Sequence, residues 1–177
     1  MRIDVTQASP ADAPVLKQLG QLYEYDFSEF CPADVEDDGR FTSFDLYFPR
    51  AFEESGWSAF LVRVDGRLAG FALVAPNERY PDCANAWYLS EFFVMRRYRR
   101  QGVGRHIAFD LFDRFPGRWE VGQIPQNDAA RAFWRRVIAE YTNGHFDDVT
   151  EDSEWFRGTY QRFVSDGHPA RTEEDRM

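Results

Sequence analysis

A chain of 177 residues, 44% hydrophobic and 17% aromatic, carries enough apolar material for one packed domain, which excludes wholesale disorder. Its formal net charge of −9 and pI near 4.8 argue against non-specific binding to nucleic acid or an anionic membrane. No apolar run reaches the roughly 18 residues of a membrane span, MRIDVTQASPADAP lacks the apolar core of a signal peptide, and Cys31 and Cys83 make neither a disulfide framework nor a metal site.

These features read as a soluble, cytoplasmic protein without a metal. RIDVT alternates apolar and polar residues and predicts a first strand. Ser9-Pro10-Ala11-Asp12 has the form of a helix start, followed by Val15, Leu16, Leu19 and Leu22 at helical spacing. The stretch from Tyr23 to Trp57 is aromatic and irregular, with an acidic DVEDDG and a second helix predicted over 43–54. SAFLVRV, the turn DGR and LAGFALVAP form a hairpin pattern around Asp65-Gly66. AWYLSEFFVM then reads as a long strand that ends at a run of arginines.

A helix follows, with Val103, Ile107, Leu111 and Phe115 on one face and Pro116-Gly117 as its stop. RWEVGQI is a further strand. Asn127 and Asp128 suit the cap of a helix with Ala130, Phe133, Trp134, Val137 and Ile138 on one face. Two more strands are expected near YTNGHFDDV and EWFRGTYQRFV, then a disordered tail over 166–177. The order β-α-α-β-β-β-α-β-α-β-β predicts one α/β domain over 1–165, a central mixed sheet flanked by helices.

RRYRRQGVGRH at 96–106 stands out. It contributes +5 without an intervening acid and leaves −14 for the rest of the chain. A strand runs straight into Arg99-Arg100-Gln101-Gly102-Val103-Gly104, where a helix begins. The first-turn N–H groups of a helix lack intrahelical partners and carry the positive end of the macrodipole. Glycines let a phosphate approach those groups, and arginines add charge-assisted contacts. A dinucleotide fingerprint would need glycine where Ile107 stands, and a P-loop would need Gly-Lys-Ser/Thr, so neither applies. On the glycines alone, a tight turn with solvated arginines is an equally good reading.

The wider segment EFFVMRRYRRQGVGRHIAFDLF resembles the acetyl-CoA-binding motif of the GNAT acyltransferase superfamily, Arg/Gln-x-x-Gly-x-Gly/Ala after a strand, filled here by Arg99, Gly102 and Gly104. NDAARAFWRRV resembles the second signature of that family, an Asn opening a helix before an aromatic pair. The hairpin with AGFALV and the opening DVTQASPADAPVLKQL also look like family members. The resemblance implies the family fold, in which the middle strands splay and pantetheine lies between them. It implies acetyl-CoA as co-substrate: Phe93, Val94 and Met95 would offer backbone groups to pantetheine. The N–H groups of Gln101, Gly102, Val103, Gly104 and Arg105 would take the pyrophosphate, and Arg99, Arg100 and their neighbours the 3′-phosphate. Asn127 would hydrogen-bond the cofactor, cap the helix, or do both, and Trp134 would stand beside the cofactor in the slot usually held by Tyr.

The implied reaction is acetyl transfer to a primary amine by direct attack in a ternary complex. Such a reaction needs a neutral nucleophile, a polarised thioester carbonyl and a route for the proton. Val94 N–H is the expected carbonyl donor. Glu91, an acid in an otherwise apolar strand, is the first candidate base, with a solvent-facing strand edge as the other reading. Glu120, on a strand that alternates as if half-exposed, is the second. Trp134 cannot serve as an acid near neutral pH. Tyr141 could replace the usual Tyr, or the thiolate, with a pKa around 8.5, leaves unaided. A non-catalytic acyl-CoA-binding module is the alternative.

Recognition of the acceptor is expected in 23–57 and in the loops from Tyr80 and after His145. Most aromatics there are expected to pack helices onto the sheet. The rest, with Asp26, Glu29 and Asp34 to Asp38, would suit a small or cationic amine. C-terminal edge strands leave room for a homodimer.

Overall fold

The computed structural model describes residues 1–42, 44–80, 82–153 and 156–167, with backbone alone at 45–47. The expected tail from 168 onward and the Tyr47 side chain lie outside the described residues. Hydrogen bonding orders seven strands as β1-β2-β3-β4-β5-β7-β6, a mixed sheet flanked by helices, in the element order expected. The strands are β1 (Ile3–Gln7), β2 (Ser58–Val64), β3 (Arg67–Pro76), β4 (Ala86–Val94), β5 (Gly117–Gln123), β6 (Asp147–Asp152) and β7 (Arg157–Ser165). The helices are α1 (Ala13–Phe27), α2 (Phe44–Glu53), α3 (Val103–Arg114) and α4 (Asp128–Tyr141). No helix among the described residues is long and apolar enough to cross a membrane.

The chain forms two compact units, residues 1–75 with 90–101 and residues 76–89 with 102–177. In the first, β1 runs antiparallel to β2, and β2 to β3. The β2–β3 turn places Asp65 at φ 48° and Gly66 at φ 77°, the paired left-handed conformation that suits the twist of a hairpin. Before α1, Ser9 and Asp12 bond reciprocally around a short 3-10 turn, the cap that the sequence signals.

The inward stripe of α1 is Leu16, Leu19, Gly20 and Glu24. Leu22, expected on that face, is 47% exposed, because residues 16, 20 and 24 define the buried side and 22 lies opposite. Leu16, Leu19, Phe44, Phe48, Phe71 and Phe93 form the core of this unit. Tyr23, Phe44 and Phe48 therefore do the packing expected of most aromatics in this stretch, whereas Tyr25 is exposed.

Gly70 on β3 lies hard against β4. A methyl group there would sit 2.0 Å from the Phe93 carbonyl oxygen, a backbone atom that cannot rotate away. Gly70→Ala is expected to destabilise the fold by about 1–3 kcal/mol, as overpacking does. The measurement is a thermal melt, where each kcal/mol lowers Tm by about 2–4 °C at this size. An unchanged Tm would show that β3 and β4 separate more readily than this contact indicates.

In the second unit β4 pairs parallel with β5 over Ala86–Tyr88 against Arg118–Glu120, β5 runs antiparallel to β7, and β7 to β6. Phe112 of α3 meets the rings of Trp119 (5.0 Å) and Phe163 (4.8 Å) edge-on, and those two rings stack on each other. Val103, Ile107 and Leu111 are buried as their spacing predicts, while Phe115 falls at the α3 cap. Helix α4 continues to Tyr141, so the strand expected near 141–149 starts only at Asp147. Asn143 (φ 52°) and Gly144 (φ 84°) turn the chain at the helix end.

Candidate active site

Between β4 and α3 the chain makes a 3-10 turn over Arg96–Tyr98 and then two left-handed residues, Arg100 (φ 61°) and Gly102 (φ 82°). A Cβ at Gly102 would meet nothing within 4 Å, so this glycine is required by its backbone angle and not by crowding. Gly102 is the N-cap of α3, without a side-chain cap, and its carbonyl accepts the His106 N–H at 3.0 Å. The N–H groups of Val103, Gly104 and Arg105 precede that bond and have no carbonyl inside the helix to bond. The local backbone thus suits an anion: first-turn donors, the positive end of a twelve-residue helix and no β-carbon over the turn. The Gln101 side chain bonds back to the Arg97 carbonyl at 2.7 Å and steadies the turn.

The five arginines of this stretch have separate duties. Arg96 and Arg99 both pair with Asp26 of α1, and Arg99 Nε also donates to the Val94 carbonyl at 2.6 Å. Arg105 pairs with Glu140 at 2.8 Å and lies 4.4 Å over the Phe109 ring. Arg97 and Arg100 have no carboxylate partner among the described residues. Of the arginines expected to meet phosphate, Arg99 and Arg105 are thus held by acids, and Arg100 has no such tie.

Of the three residues expected to offer backbone groups, Met95 donates its N–H to the Ala69 carbonyl at 2.8 Å and accepts from the Tyr98 N–H. Val94 gives its carbonyl to Arg99, and the Phe93 carbonyl faces Gly70.

Glu91 is half-buried on β4, three residues before Val94. Burial pushes its carboxyl up from the ordinary 4.5 to about 7; a hydrogen bond from Tyr23 opposes this and the neighbouring Glu24 carboxylate adds to it. Glu91 therefore holds and releases a proton near neutral pH. The sequence placed it in a cleft or at a strand edge, and the packing of α1 over this strand gives it polar neighbours. Sequence reading missed Glu24. The available signal was an acid at the i, i+4, i+8 continuation of the apolar stripe Leu16–Gly20.

Glu120 differs sharply. Far from half-exposed, it is 2% exposed. One oxygen receives Arg162 Nε at 2.5 Å and Tyr80 Oη at 3.1 Å; the other receives Asn77 Nδ2 at 3.1 Å and Arg79 Nε at 3.2 Å. Four donors, two of them cationic, occupy both of its oxygens.

Tyr141 is also committed: its hydroxyl meets Asp113 Oδ1 and Ser165 Oγ, each at 2.8 Å. Trp134 is buried in the α4 core against Phe112 and Phe133. Asn127 caps α4, its side chain accepting the Ala130 N–H at 2.9 Å. The first unit thus gathers Glu91, Val94 and Arg99, and the second holds Glu120, Asn127, Trp134 and Tyr141. Among the described residues no group of three or more His, Cys, Asp or Glu is placed to hold a metal.

This turn, strand order and helix arrangement are those of an acyl-group transferase fold. Residues 18–138 match the model of the acetyltransferase (GNAT) family, and the chain belongs to that family. No curated protein matches the sequence. Among solved structures, an acetyltransferase from Thermus thermophilus is similar with TM-score 0.65 at 18% identity, over 93% of this chain and 96% of that one. The PaiA N-acetyltransferase of Thermoplasma acidophilum, solved with coenzyme A, is similar with TM-score 0.64 at 14% identity, over 93% and 99%. YncA of Salmonella typhimurium, whose structure contains its cofactor acetyl-CoA, is similar with TM-score 0.60 at 17% identity, over 98% and 99%.

Proposed function

We propose that this protein transfers the acetyl group of acetyl-CoA to the primary amine of a small or cationic acceptor, by direct attack while both substrates are bound. The observation that carries this reading is Glu91: a carboxyl on β4 that exchanges its proton near neutral pH, three residues before the expected carbonyl donor. The amine reaches the thioester as R–NH2 once Glu91 has taken one proton from R–NH3+. Its nitrogen adds to the carbonyl, whose developing oxyanion is met by Val94 N–H. The C–S bond then breaks, and the proton remaining in excess on nitrogen leaves to the thiolate or to water.

The first-turn N–H groups of α3, with those of Gln101 and Gly102, hold the pyrophosphate, and Arg97 and Arg100 meet the remaining phosphate. Asp26 fixes Arg99, and Arg99 in turn fixes the Val94 carbonyl, so this pair positions the peptide next to the reacting group. Glu120 is assigned to the framework. Tyr141 is assigned there too, and a thiol of pKa about 8.5 departs without a protein acid.

A thermal-shift titration tests the cofactor directly. Acetyl-CoA and CoA at about 100 times Kd should each stabilise the fold by roughly 2.7 kcal/mol, a rise of about 5–10 °C at this size. ADP should shift it much less and NAD not at all. No response to acetyl-CoA would remove the acetyl-transfer reading. A response without amine-dependent thiol release would favour a binding module.

A further inference from the structure

Glu24 is the least explained charged side chain in the first unit. It is 5% exposed, it lies on the inward stripe of α1 behind Leu16 and Gly20, and its Oε2 has no hydrogen-bond partner. A buried carboxylate without a donor costs free energy that a leucine in its place would not. Its position is equally unusual. The preceding residue, Tyr23, donates its hydroxyl to Glu91, and its ring lies 5.6 Å from that of Phe93. Glu24 itself is close enough to Glu91 to disfavour that group's ionisation. Glu91 and Phe93 stand two apart on β4 and share one strand face, so the α1 turn that carries Tyr23 and the orphaned Glu24 oxygen lies on the Glu91 side of the strand. The nearby arginines Arg96 and Arg99 are both spent on Asp26.

A pair of neighbouring carboxyls is stable in two ways: it keeps one proton between its members, or it encloses a cation. The second suits a group with several N–H donors and one positive charge. We infer that Glu24 and Glu91 together seat the protonated primary ammonium group of the acceptor, Glu24 accepting its N–H donors and Glu91 receiving the proton. On binding, the proton held by Glu91 leaves to solvent and R–NH3+ lies between the two side chains. Glu91 then takes one proton from nitrogen, giving R–NH2 and a protonated Glu91. Tyr23 and Phe93 supply ring faces for the cation. A quaternary ammonium, having no N–H, fits poorly. The deprotonation step rests on the acetyl-transfer reading, but seating of the ammonium group does not.

The test is a carboxyl-carbon NMR titration of Glu91 in the full chain with CoA in excess, adding n-butylammonium chloride or, as control, tetramethylammonium chloride. The groups facing Glu91 are Tyr23 and Glu24 of α1, and both remain in the wild type. Butylammonium should lower the titration midpoint of Glu91 in a saturable way, and tetramethylammonium should leave it in place. In Glu24→Gln the half-saturating butylammonium concentration should rise about tenfold or more, as expected for loss of a charged hydrogen-bond partner. No butylammonium response in the wild type, or equal responses in wild type and Glu24→Gln, would overturn the inference. Failure of the acetyl-CoA thermal shift with a normal butylammonium response would instead remove the acetyl-transfer reading alone.

Discussion

Glu91→Gln is expected to lower kcat about 10²- to 10⁴-fold with a competent amine while leaving acetyl-CoA affinity unchanged, the range lost when a positioned general base is removed. Glutamine preserves the shape of the side chain and can still accept the Tyr23 hydroxyl, but it cannot take a proton from nitrogen. The wild-type rate should rise with pH through about 7, where the carboxyl ionises, and the variant should lack that limb.

Stability should move the other way. Between the ordinary value of 4.5 and about 7 the folded protein keeps a proton that the unfolded chain has lost. The Glu91 contribution to stability therefore falls as pH rises through that window and is flat outside it. The variant has no such slope and should melt higher than wild type above pH 7. Steady-state kinetics and melts across the pH range check both halves. Near-normal turnover by the variant above neutrality would exclude Glu91 as the base.

Glu120→Ala should give the reverse pattern. Removing a buried partner leaves Arg79, Arg162, Asn77 and Tyr80 around a hole. The expected loss is about 3 kcal/mol, at the low end for a broken buried pair because both arginines retain contact with water. Tm should fall by about 6–12 °C, and the surviving folded enzyme should keep the pH limb set by Glu91. An unchanged Tm with a lost rate would make Glu120 the base after all.

What the sequence made legible was whatever depends on near neighbours. Asp65-Gly66 marks a turn through backbone angles alone, Gly102 marks the left-handed entry to α3, and Asn127 caps α4 three residues from its donor. The glycine-centred turn therefore emerged with its expected backbone geometry. The acids were harder, because what a carboxylate does depends on partners distant in the chain. Asp26 meets arginines about seventy positions on, Glu120 gathers partners from β7 and the loop after β3, and Glu24 gains meaning only once α1 lies over β4. Alternation made Glu120 look half-exposed, since a strand pattern cannot register that charged neighbours have closed over its polar face. Leu22 failed for a milder reason: spacing fixes the width of a helix stripe better than its centre.

The arrangement of the arginines around the α3 entry has a kinetic consequence. With Arg96, Arg99 and Arg105 paired to acids, Arg97 and Arg100 are left without a carboxylate partner among the described residues, on a protein of net charge −9. A polyanion approaching from bulk water meets repulsion at long range and attraction only within the last few ångströms, where backbone dipoles take over. If the turn takes such a ligand, its capture is expected to be slow for its affinity, with tightness expressed in residence time. Selection among anions would then occur at contact, by shape, and not by the far field that draws indiscriminately on every phosphate in solution.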